Sequence, residues 1–151
     1  MKPGVEWHSV HRKTAEVIAQ GLLDLGVMRG SLHDILESGA ISAFYPHGVG
    51  HLVGLLVRDT GSPENPSPEV YCGVRLRVDL PLAENYVITV EPGCYFHRRL
   101  LEADHVRKQY GEFMNWTEIE RWKDLGGVRI EDDVRITSGG TENLTAVVSK
   151  L

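Results

Sequence analysis

A chain of 151 residues that is 42% hydrophobic and 25% charged carries enough apolar mass for one domain with its own core, which excludes a disordered tail. Its 16 Lys plus Arg against 21 Asp plus Glu, with no basic face interleaved with aromatics, argue against nucleic acid or a membrane surface as partner. No apolar run approaches the roughly 20 residues that span a bilayer, the opening lacks the apolar stretch of a secretory signal, and two cysteines without a Cys-x-x-Cys clip make a reducing, cytoplasmic setting the expectation.

Taken in chain order, Val10, Val17, Ile18, Leu22 and Leu25 recur near helical spacing, so residues 7–25 are expected to form an amphipathic helix that stops at Gly26. The opening Pro3-Gly4 runs directly into it, without an earlier strand to pair with later ones. Ser31 with Asp34 resembles a capping box for a shorter helix ending at Gly39, and Asn115 with Glu118 repeats the signal ahead of Ile119, Trp122 and Leu125. Between these helices, Gly61-Ser62-Pro63 and Asn65-Pro66-Ser67-Pro68 read as an exposed loop. Residues 86–91 and 128–136 alternate with period two and are rich in β-branched residues, as strands do. A turn at residues 137–140 precedes a short last strand near Asn143-Leu144-Thr145. The order fits a single α/β domain of the α+β kind, a mixed sheet with helices packed on one face.

Three stretches hold potential ligands for a hard divalent metal. In Pro46-His47-Gly48-Val49-Gly50-His51 the two histidines are four apart, but Pro46, Gly48 and Gly50 oppose a helix, and in an extended segment such residues lie about 13 Å apart. At most one of them serves a given ion, and the other is left to face a substrate; two hydrogen-bonded histidines in a tight bend are the alternative. Glu91, in Thr89-Val90-Glu91-Pro92-Gly93, is held extended by the following proline. It sits among apolar neighbours, where a carboxylate bears a desolvation cost unless a cation meets it; a surface turn is its plainer reading. Along 128–136, Arg129, Glu131, Asp133 and Arg135 share a face that could equally be a solvated row of ion pairs. Only the combination of the three stretches promotes Glu131. Two carboxylates about 4 Å apart repel by roughly 4 kcal/mol at an effective dielectric of 20, a penalty that a divalent ion removes. Such an ion suits hydrolysis of an amide or related bond.

These motifs, together with Val87-Ile88-Thr89-Val90-Glu91-Pro92-Gly93-Cys94-Tyr95-Phe96 and Gly126-Gly127-Val128-Arg129-Ile130-Glu131-Asp132-Asp133-Val134, resemble the pita-bread metallopeptidase family, most closely its prolidase and Xaa-Pro aminopeptidase branch. The resemblance implies a partial pita-bread fold, with residues 1–151 forming the later, C-terminal part of the catalytic domain. It implies two divalent ions, commonly Mn2+, with His51, Glu91 and Glu131 as ligands, Glu91 also as proton shuttle and Glu131 as bridge. His47 would lie beside the substrate and Arg77 near the carboxylate of its proline. A metal-activated hydroxide would cleave the bond before proline in proline-containing peptides, and the family commonly forms a homodimer.

The departures are specific. The family's two aspartate ligands belong to a strand pair upstream of the opening helix, so this chain carries a three-ligand set and is expected to be inactive alone. Arg58 stands where prolidases place a second histidine; a guanidinium can stabilise an oxyanion but cannot exchange a proton at neutral pH. Leu56 replaces an acid, and Glu84-Asn85 replaces a Gly-Met turn. A non-catalytic peptide-binding module of the same fold, or a truncated paralogue, is the competing expectation.

Overall fold

The computed structural model describes residues 1–59 and 69–150. The proline- and glycine-rich loop expected from Gly61 to Pro68 therefore lies outside the described residues. Helix α1 (Trp7–Asp24) ends through Leu25 into left-handed Gly26, and α2 (Leu32–Ser38) ends at left-handed Gly39. Both stops are where glycine removes the Cβ penalty of positive φ. The Ser31 hydroxyl accepts from the Asp34 amide at 3.0 Å, the cap its sequence signals. Asn115 Oδ1 does the same for the Glu118 amide at 3.5 Å, opening α5 (Trp116–Trp122).

The extent of α1 agrees with its periodicity, and so does part of its buried face, since Leu22 is buried and Val10 and Ile18 pack half-buried against the core. Trp7, His11, Ala15, Ala19 and Leu22 are buried, while Val17 and Leu25 are exposed. Small side chains at 15 and 19 let the helix backbone approach the core closely, and that close approach outweighs the larger apolar residues of the other face. No strand precedes α1 among the described residues, as expected, but the opening is tied to residues 80–82: the Gly4 amide donates to Leu82 O (2.8 Å), the Leu82 amide to Val5 O (2.9 Å) and the Trp7 amide to Leu80 O (3.2 Å).

The strands form small antiparallel sheets. β1 (Val70–Tyr71) and β2 (Val74–Arg75) make a hairpin; β3 (Val87–Val90), β6 (Asp132–Thr137) and β7 (Gly140–Asn143) lie in the order β3-β6-β7; β4 (Gly93–Tyr95) pairs with β5 (Gly127–Arg129). The single strand expected over 128–136 is thus two, interrupted at Ile130-Glu131, opposite the interruption at Glu91-Pro92. Proline has no N–H to continue the ladder, so the ribbon breaks on both sides at the same level. The last strand begins three residues earlier than its expected place, because the turn occupies only Ser138-Gly139. Between β4 and β5 the chain adds α3 (Arg98–Leu101), α4 (Asp104–Tyr110) and α5.

Two apolar clusters hold this together. One joins α1, α2, α4 and α5 with Phe44 and Phe96; the other sets Trp7, Val74, Leu76 and Val78 against Ile88, Val134 and Ile136 of the sheet. The second leaves the opposite sheet face, which carries Thr89 and Glu91, for polar work.

Candidate metal and peptide site

Two ladders meet at Glu91. On one side, residues 49–53 run antiparallel to β3: the Glu91 amide donates to Val49 O (2.7 Å), Thr89 to His51 O (2.9 Å) and Val53 to Val87 O (2.9 Å). His51 thus lies opposite Thr89 and shares a face with Glu91. Gly50 permits the approach, since a Cβ there would lie 1.9 Å from Thr89 O. On the other side, Val90 pairs with Asp132 and Gly93 with Arg129. Carrying either register through the break sets Glu91 opposite Glu131. Like charges directly across a ladder destabilise it, so this backbone asks for a cation between them.

The side chains agree with that demand. His51 Nδ1 lies 3.0 Å from Leu52 O. A carbonyl only accepts, so Nδ1 carries the proton and neutral Nε2 presents a lone pair. That lone pair faces Glu91 Oε1 at 3.4 Å. Two acceptors face each other, and only a proton or a cation can join them. Glu91 is 6% exposed; its Oε1 accepts from the Thr89 hydroxyl (3.0 Å), which accepts from the His51 amide (2.9 Å). Its Oε2 lies 3.4 Å from the Arg129 guanidinium. Ligand atoms of His51, Glu91 and exposed Glu131 all fall within 4.8 Å of one another. One imidazole nitrogen and two carboxylates can hold a divalent ion.

His47, His51, Arg58, Arg77 and Glu91 line one cleft of about 480 Å³; Glu131 joins through the ligand cluster rather than through the cleft wall. His47 Nδ1–H donates to Gly48 O at 2.8 Å, and Nε2 lies 2.9 Å from the Tyr95 hydroxyl, which donates to it. Tyr95 lies across the β4–β5 pair, where a Cβ on Gly127 would come within 2.2 Å of its ring. Behind His47, the buried Tyr45 ring packs edge-on at 5.0 Å. Burial first, then the negative charge of Glu91, pushes the Tyr45 phenol above its ordinary pKa.

Sequence reading missed Arg75, Thr89, Tyr95 and Arg129. Arg75 was visible as the period-two partner of Arg77 in Val74-Arg75-Leu76-Arg77-Val78, and Arg129 as the residue two before Glu131. The Thr89 and Tyr95 contacts depend on cross-strand register, for which no local signal exists.

The fold is of the pita-bread aminopeptidase kind. Residues 1–138 match the model of metallopeptidase family M24, and the chain belongs to that family. It is 40% identical over 150 residues to a probable Xaa-Pro aminopeptidase, pepP, of Botryotinia fuckeliana (strain B05.10), covering 98% of this chain and 32% of that protein. Among solved structures it is similar to aminopeptidase PepP of Pseudomonas aeruginosa, with a TM-score of 0.72 and 31% identity over 100% of this chain and 28% of that one. Proline aminopeptidase P II from Yersinia pestis gives a TM-score of 0.69 at 29% identity, with coverage of 100% and 28%. The chain spans about a third of the length of the curated relatives it matches.

Proposed function

We propose that this chain is the later part of the catalytic domain of an Xaa-Pro peptidase, prolidase-like in the arginine it offers the substrate, which hydrolyses the bond before proline in proline-containing peptides. The observation that carries the reading is His51 Nε2 and Glu91 Oε1 facing each other at 3.4 Å with the imidazole's other nitrogen already spent on Leu52 O. His51, Glu91 and Glu131 would hold a divalent ion, Mn2+ by family resemblance. When bound, such an ion acidifies water and polarises the scissile carbonyl.

The remaining roles belong to the chain's own groups. Glu91 serves as proton shuttle at a carboxylate oxygen, with Arg129 and the Thr89 hydroxyl fixing the orientation of that carboxylate. His47 is presented to the cleft in one tautomer by Gly48 and Tyr95 and positions the peptide. Arg77 meets the carboxylate of a C-terminal proline, and Arg58 faces the oxyanion side as a fixed cation. Among the described residues three donors converge, fewer than the five the resemblance implies, so the proposal includes slow or no turnover of Xaa-Pro peptides by the 151-residue chain alone.

Calorimetric titration with Mn2+ tests this: saturable uptake that His51→Ala and Glu91→Gln abolish is expected. No saturable heat for the unaltered chain would overturn the reading. Assays on Xaa-Pro dipeptides with added Mn2+ then separate a working hydrolase from a binder.

A further inference from the structure

From residue 74 to 78 the chain alternates strictly. Val74, Leu76 and Val78 are 7%, 3% and 2% exposed in the core, while Gly73, Arg75 and Arg77 stay on the open face. An extended backbone puts residues two apart on the same side, and Gly73, Arg75 and Arg77 all line the cleft. Arg58 enters the same cleft from the segment after His51, and Arg129 completes a set of four guanidiniums. Arg129 is shared with Glu91 at 3.4 Å. Among the described residues, no carboxylate comes within ion-pair reach of Arg58, Arg75 or Arg77. This concentration occurs in a chain whose net charge is −5, so the cleft opposes the rest of the surface in sign.

Like charges gathered in a concavity repel one another and draw in anions. One peptide carboxylate engages one guanidinium in a bidentate pair; three guanidiniums with no carboxylate partner among the described residues can take a second carboxylate as well. We propose that the cleft selects peptides bearing an acidic side chain next to the proline, and that Arg58 and Arg75, beside Arg77, determine that specificity. The proposal rests on the Xaa-Pro peptidase reading of the same site and adds its substrate class.

The test uses the full chain with Mn2+ present and two nearly isosteric peptides, Glu-Pro and Gln-Pro, whose free proline carboxylate can meet Arg77, compared by calorimetry. The glutamate peptide is expected to bind about tenfold more tightly at low salt, a preference that shrinks several-fold near 0.5 M salt as the charges are screened. Arg75→Gln and Arg58→Gln should each erode the ratio, and Arg75→Lys should retain part of it because the charge survives. Arg75 is exposed, so folding does not depend on it; a circular dichroism spectrum verifies this for each variant. Equal affinity for the two peptides, or a ratio untouched by both glutamine variants, overturns the selection. Failure of either peptide to bind at millimolar concentration overturns it also. A parallel Mn2+ titration separates the two readings. Uptake with equal peptide affinities removes only the acidic preference, whereas a retained preference without uptake removes the metallopeptidase reading and leaves the arginine wall.

Discussion

Replacing Gly50 by alanine is the sharpest test of how the backbone assembles the site. The new Cβ would stand 1.9 Å from Thr89 O and 2.9 Å from Thr89 Oγ1, whereas an ordinary contact needs about 3.5 Å. The obstacle is backbone, not a side chain that can rotate away. Relieving it means moving residues 49–53 off β3 by about 1.5 Å, which weakens the ladder bonds from the Thr89 and Glu91 amides. Overpacking costs typically 1–3 kcal/mol and each weakened bond about 1 kcal/mol, so the expected loss is about 3–5 kcal/mol. For a domain of this size that lowers Tm by about 6–20 °C. The same displacement separates His51 Nε2 from Glu91, so Mn2+ uptake should weaken at least tenfold even at temperatures where the variant is folded. Thermal melts by circular dichroism and Mn2+ calorimetry read the two effects. Gly21→Ala is the control: a Cβ there meets nothing within 4 Å, and in the interior of α1 it should stabilise by about 0.5–1 kcal/mol. If Gly50→Ala melts within 2 °C or so of the unaltered chain and binds Mn2+ equally, the close approach does not position His51.

Three further outcomes are expected. His11 is buried, and burial first, with the nearby His47 charge adding and the Tyr71 carbonyl opposing, pushes its pKa down from 6.5 to about 4. The unfolded chain therefore binds the extra proton between those values, so stability is full above about pH 6.5 and falls as the pH drops toward 4, by up to about 3 kcal/mol; denaturant titrations at pH 7 and 4.5 should show this slope and His11→Gln should flatten it. Tyr95→Phe removes the hydroxyl that donates to His47 Nε2; peptide affinity should fall about three- to tenfold with little change in melting, and an unchanged His47 ring resonance in NMR would refute the positioning role. Ser31→Ala deletes the cap on α2 and should lower stability by about 1 kcal/mol in a chemical-denaturation curve.

Local chemistry was enough to locate most elements. The caps at Ser31 and Asn115, the left-handed stops at Gly26 and Gly39, and the strand before Glu91-Pro92 depend on interactions within a few residues, which a sequence displays directly. The motifs also named the histidine and the two glutamates that the fold brings within 4.8 Å, because the glycine and proline frames around them are rare enough to be recognised.

What only the tertiary structure decided is whatever depends on two distant segments meeting. The buried face of α1 turned on how closely a helix can approach its neighbours, so Ala15 and Ala19 outranked Val17. The strand over 128–136 broke because Pro92 interrupts its partner, a constraint that lies on another part of the chain. Pairing register set Glu91 opposite Glu131 and His51 opposite Thr89, and it placed Arg75 and Arg129 in the same cleft as Arg58 and Arg77. Register is a property of the pair, and neither strand alone carries it.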